Sequence, residues 1–289
     1  MRVVVLGAGG MLGRDLVTCL ADRHEVLGLT RSEADITDLG GLLRLIEPLR
    51  TEVIVNCGAA TDVDRCEREP DWAYRVNAWG AWAAAAAAEQ CGARLVHVST
   101  DFVFSGDADR PYHEWDTTGP VNVYGASKLA GELAVFRACR RASVVRTQWL
   151  YGRHGRSFPR AILNAAAKRP ETGLKVVADQ VGSPTYTVHL AEKLAWLLEW
   201  PADGLYHVSN AGECSRHAWA CRLLQAAGMP EISIAPIASS DWPLPARRPA
   251  RSTLRRYALE LAGADDLLSW EAGVDAFVAE LRAAGELPG

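Results

Sequence analysis

Short runs of Val, Leu and Ile alternate with amphipathic stretches through the first half of the chain. "VVVL" (3–6) leads into a helical pattern over 11–22, followed by "VLGL" (26–29). "VIV" (53–55) precedes a long helix ending near Gln90, and "RLVHV" (94–98) and "SVVRT" (143–147) bracket the segment "VNVYGASKLAGE". Strands this apolar are buried on both faces, so they pair in parallel under covering helices. Right-handed crossovers then make the fold α/β, a doubly wound parallel sheet. After residue 150 the pattern loosens. It predicts helices near 157–168, 187–199, 215–227 and 270–284, and short strands near 174–177, 204–208 and 232–237. Ser215 and Ser269 are placed as N-caps, and the Pro- and Arg-rich "DWPLPARRPARSTL" (241–254) reads as a loop.

Composition narrows the partners. A net charge of −4 with no basic block argues against nucleic acid. No apolar run reaches the ~18 residues of a membrane span, and the first residues run directly into a strand, leaving no room for a signal peptide. The seven cysteines lack CxxC spacing and read as thiols of a reducing cytoplasm. The seven histidines form no HxxxH pair, so no metal ligands are assigned.

"VVVLGAGGMLGRDL" sets Gly7, Gly10 and Gly13 between the first strand and the first helix. In that context the glycines permit a tight turn, close approach to a pyrophosphate and close helix–sheet contact. Residues 1–149 are therefore expected to form a dinucleotide-binding Rossmann domain. Residues 150–289 would form a smaller, interleaved substrate lobe with segments returning to the sheet. The second strand ends in "LTRS", with Thr30 and Arg31 where an NAD site usually carries an acid. A guanidinium matches a 2′-phosphate, which favours NADPH over NADH; a solvated surface arginine is the alternative.

Tyr124 and Lys128 lie four apart and share one helical face. A phenol ionises only near pH ~10, and a neighbouring ammonium lowers that value and makes it a better proton shuttle. The small residues between them are expected to let a substrate approach. The same spacing occurs on helices with a half-buried tyrosine and a solvated lysine; the dinucleotide unit upstream favours the catalytic reading. Just before it, a buried strand ends in Ser99, Thr100 and Asp101, at the carboxyl edge where such sheets bind ligands. Thr100 is placed to donate to the ketone oxygen that Tyr124 protonates.

These segments together resemble the extended short-chain dehydrogenase/reductase superfamily. "NCGAATDVDRCEREP" (56–70), "VNAWG" (76–80), "STDFVF", "PVNVYGASKLAGE", "RTQWLYG" (146–152), "DQVGSPT" (179–185), "GLYHVSN" (204–210) and "RRPARSTL" (247–254) resemble the dTDP-4-dehydrorhamnose reductase family, in order along nearly the whole chain. The resemblance implies hydride transfer from a reduced nicotinamide cofactor to the C4 ketone of a dTDP-4-keto-6-deoxysugar. It implies Tyr124 as proton donor, Lys128 as its tuner and ribose ligand, and Thr100 as a second donor. Gly10, Met11 and Leu12 would meet the pyrophosphate, Asp35 and Ile36 the adenine side, and Ala59, Ala60 and Thr61 the strand-end cofactor surface. Asp101 and Trp149 would hold the sugar nucleotide; the guanidinium groups of Arg247, Arg248 and Arg251 suit gripping its diphosphate or solvating a loop.

Ala60 stands where the family usually has an aromatic or His, which widens the cofactor wall, and Arg251 where it often has Asn. Magnesium is associated with some members at an oligomer interface, but no carboxylate cluster here is assignable to it; a homodimer is compatible with the pattern. Another dTDP-4-keto-deoxysugar, such as a dihydrostreptose precursor, is an alternative substrate. A regulatory subunit like that of methionine adenosyltransferase is a further alternative, disfavoured because a pure binder needs no proton donor.

Overall fold

The computed structural model describes residues 1–168, 171–200 and 202–288. Six strands, β1 (Arg2–Leu6), β2 (Glu25–Leu29), β3 (Val53–Asn56), β4 (Arg94–Thr100), β5 (Ala142–Thr147) and β6 (Gly204–His207), form one parallel sheet in the order β2-β1-β3-β4-β5-β6. The strand order reverses between β1 and β3. Their carboxyl ends diverge into opposite crossovers there and open the crevice in which such sheets take ligands.

Helices cover both faces. Leu39–Ile46, Gly80–Gln90 and Val123–Ala138 pack on one side around Leu6, Ile54, Leu95 and Val144. Met11–Leu20 and Thr187–Glu199 close the other around Val3, Val5, Val55 and Leu194. Three further helices, Phe158–Ala166, Arg216–Ala227 and Trp270–Ala283, enclose a separate core of Tyr151, Leu163, Trp219 and Phe277. Ser215 and Ser269 do cap their helices, each accepting from the backbone N–H three residues on. The strands expected near 174–177 and 232–237 form as Leu174–Val177 and Ile234–Ile237, and the structure pairs them in parallel.

The stretch expected as one long helix ending at Gln90 is broken. Val63–Arg68 stops before Pro70, which opens a second short helix at its N1 position. A wide π turn at Arg75–Trp79 then precedes Gly80–Gln90. The bulge has a local use: it turns Asn77 inward, where its Oδ1 accepts from Ala60 N at 2.8 Å and its Nδ2 donates to Ser127 Oγ at 3.0 Å. Among the described residues no helix is long and apolar enough to cross a membrane.

Candidate active site

Two adjoining cavities occupy the carboxyl edge, sharing Gly7, Gly10, Cys57 and Ala59 in their walls. The first, of about 710 Å³, lies beyond the ends of β1, β2 and β3. Gly7 makes its turn with φ +78°, and a Cβ there would fall 2.8 Å from Gly58 N. A Cβ on Gly13 would fall 2.3 Å from Gly7 O, so the helix starts close against the strand turn, and its N-cap Gly10 lines both cavities. Thr30, Arg31, Asp35, Ile36, Ala59 and Ala60 line this cavity. A cradle closed to side chains, opening on a long cleft with a guanidinium at its far end, fits a dinucleotide.

Two carboxylates nevertheless lie just beyond the end of β2. Glu33 folds back onto the strand end, accepting from Thr30 N at 2.8 Å and Thr30 Oγ1 at 2.7 Å. Asp35, held ionised by two hydrogen bonds from Thr37, lies within the field of both Arg31 and Arg75. Arg75 and Trp72 also line the cavity. Neither was singled out in the sequence, because the π turn that delivers Arg75 has no readable period.

The second cavity, about 430 Å³, brings together Gly7, Gly10, Met11, Leu12, Gly13, Thr61, Thr100, Asp101, Tyr124, Lys128 and Trp149. Asn122 caps the Val123–Ala138 helix by accepting from Gly125 N at 2.8 Å, and donates to Arg247 O at 2.7 Å. That cap fixes Tyr124 in the first turn, edge-on to Phe102. The small residues after it serve packing and not substrate access. A Cβ on Gly125 would lie 2.0 Å from Phe102 O, and Ser127 is fully buried.

The electrostatics also depart from expectation. Burial pushes the Tyr124 phenol above its usual range, with the neighbouring Asp101 adding to the rise and a hydrogen bond with Thr100 offsetting part of it. Lys128 does not hold the phenol down. Its own ammonium is 1% exposed and is lowered to about 8, chiefly by burial. Its Nζ donates to Val98 O at 2.7 Å and lies 3.3 Å from His97 Nε2. One turn further, Glu132 receives a forked guanidinium from Arg146 at 2.7 and 3.0 Å and a hydroxyl from Ser99 at 2.5 Å.

Thr100 donates to Asp101 Oδ1 at 3.0 Å, so its proton is committed to a carboxylate before any ketone arrives. Asp101 is 2% exposed, and burial raises it to about 6 although Ser252 donates to its Oδ2 at 2.5 Å. Arg248 does not line the cavity: it forks onto Asp64 at 2.6 and 2.9 Å. The arginines that do line it are Arg156 and Arg216. Arg216 lies 3.6 Å over the Trp149 ring, so that corner offers an indole-backed guanidinium and not a bare aromatic face. Trp149 itself adopts φ +47°, a left-handed conformation unusual for a bulky residue and held here by close packing; a Cβ on Gly182 would fall 2.7 Å from its ring.

Comparison with known proteins is consistent from end to end. The family model described as the RmlD substrate binding domain matches residues 1–283. The dTDP-4-dehydrorhamnose reductase of Mycolicibacterium smegmatis is 42% identical, over 99% of this chain and 88% of that protein. A dTDP-4-keto-6-deoxy-D-glucose reductase of Streptomyces niveus is 39% identical over 93% of each. The structure of the Bacillus anthracis dTDP-4-dehydrorhamnose reductase in complex with NADP superposes with a TM-score of 0.93 at 37% identity, covering 96% of this chain and 99% of that one. With the glycine turn, the Tyr124–Lys128 helix and the Thr100–Asp101 strand end all on one cleft, the chain belongs to the dTDP-4-dehydrorhamnose reductase family of the extended short-chain dehydrogenase/reductases.

Proposed function

We propose that this protein reduces the C4 ketone of dTDP-4-dehydrorhamnose to give dTDP-L-rhamnose, with NADPH as reductant. The observation that carries the reading is the single cavity in which a neutral, half-buried phenol, a lysine and the helix-start glycine cradle meet. When bound, the reduced nicotinamide supplies a hydride. Gly10, Met11 and Leu12 hold the pyrophosphate, Ala59, Ala60 and Thr61 form the wall beside it, and Asp35 and Ile36 flank the adenosine. Tyr124 gives its proton to O4 of the sugar, and Thr100 steadies that oxygen once its hydroxyl turns from Asp101. Residues 150–289 act as the substrate lobe. The test is a coupled assay: dTDP-glucose is passed through a 4,6-dehydratase and a 3,5-epimerase, then offered with NADPH or NADH, and the sugar product is identified by NMR. Formation of dTDP-L-rhamnose is expected; absence of cofactor oxidation would overturn the reading.

A second reading has specific support in the Streptomyces niveus relative, whose name gives a different 4-keto-6-deoxysugar. In that case the same assay yields cofactor oxidation with a different stereoisomer.

Two substitutions test the cleft's arginines. Arg31→Ala is expected to raise KM for NADPH by about tenfold or more, the worth of a charge-assisted hydrogen bond, with little change for NADH. An unchanged cofactor ratio would make Arg31 a surface residue. Arg216→Met is expected to raise KM for the keto-sugar nucleotide by about tenfold while the Kd for NADPH holds. Parallel loss of cofactor affinity would point instead to a collapsed Trp149 corner.

A further inference from the structure

We infer that Asn56 fixes the tautomer of His97 so that the imidazole turns an N–H, rather than a lone pair, toward the Lys128 nitrogen. The reasoning starts from a group whose role is unambiguous. The Gly58 backbone N–H can only donate, and it lies 3.0 Å from Asn56 Oδ1, which identifies the carbonyl end of that amide. The other end is therefore the NH2, also donor-only, and it sits 3.2 Å from His97 Nδ1. Nδ1 must accept. His97 is 1% exposed and burial keeps it neutral, so its one proton resides on Nε2. That nitrogen is the one 3.3 Å from Lys128 Nζ.

An ammonium at this position has one good acceptor, Val98 O, and meets an N–H where a second acceptor would be wanted. An amine can instead accept from it. The remaining groups around the lysine do not reverse this. Glu132, one turn along the same helix, favours the cation but is shared with Arg146 of β5 and Ser99 of β4. The Cys57 thiol after β3 is pushed up to about 12 and stays neutral, as does Tyr124. Lys128 thus gives up its proton before Tyr124 does. Resting on the proposed reductase reading, in which the Lys128 ammonium would hold the nicotinamide ribose beside Tyr124, this makes His97 a positioning residue and assigns the basic limb of the pH–rate profile to Lys128. The limb lies near the lysine's value of about 8, below the range of the phenol.

The test uses the full chain labelled with 15N-histidine. Long-range proton–nitrogen correlations of the cofactor-free protein should show His97 as the Nε2–H tautomer. An Nδ1–H tautomer overturns the inference, whether or not the protein turns over any keto-sugar. Asn56→Asp supplies the second arm. Its carboxylate still accepts from Gly58 and also accepts from Nδ1–H, freeing a lone pair for Lys128. The basic limb of kcat should then move up by about one pH unit or more. A variant with switched tautomer and an unmoved limb would detach His97 from the lysine. A wild-type protein inactive with every keto-sugar would instead sink the reductase reading and leave the tautomer result standing.

Discussion

Tyr124→Phe should lower kcat for keto-sugar reduction by about three orders of magnitude, the middle of the range for removal of a general acid, while the NADPH dissociation constant stays within about twofold. The substitution deletes one oxygen and keeps the ring that packs edge-on against Phe102, so the helix start capped by Asn122 is undisturbed. The effect is large because no neighbour can substitute. Thr100 has its proton on Asp101, and Lys128 is turned toward Val98 and His97. The direction of the phenol's shift matters too. Burial raises it, so Tyr124 remains protonated across neutral pH and is ready as an acid, which suits reduction better than alcohol oxidation. Single-turnover kinetics with preformed NADPH complex would isolate the step, and a rate near wild type would remove Tyr124 from it.

Glu132→Leu should destabilise the protein by about 3–5 kcal/mol, because it strands the Arg146 guanidinium in the core without its carboxylate. The two side chains are 3% and 4% exposed, so water cannot replace the lost partner. In melting temperature this amounts to a fall of roughly 10 °C for a chain of this size. Pairing the change with Arg146→Met should recover most of the loss, since a buried pair is far cheaper to replace whole than to break. Calorimetry on the two variants checks it, and a single variant within about 1 kcal/mol of wild type would contradict the account.

Much of this arrangement was legible before any coordinates. The strands announced themselves because parallel, doubly covered strands must be continuously apolar, and the glycine turn because no Cβ fits there. Ser215 and Ser269 were readable for the same local reason: a hydroxyl before a helical pattern has one obvious use. What escaped was set by long-range pairing. Arg248 looked like a ligand for a diphosphate until Asp64, 184 residues away, was found in its fork. Arg216 was not singled out, and only the fold brings it over Trp149. Lys128 was read against Tyr124 on its own helix, whereas its nearest partners come from β4. Glu33 was overlooked because a carboxylate four positions past the strand end gives no hint that it will bend back onto Thr30.

The sheet's outermost strand on one side, β6, comes from residues 204–207, although it lies against β5 at 142–147. During synthesis the first five strands therefore emerge with a long apolar edge exposed, and nothing nearby in the sequence can cover it. The edge is closed only when some sixty further residues have left the ribosome, carrying with them the Thr187–Glu199 helix that packs on the same sheet. A nascent chain halted before residue 207 holds Tyr124, Lys128 and the whole glycine cradle on an incomplete sheet. Premature termination or slow translation in that interval would thus produce aggregation of the nascent chain and not a partly active fragment.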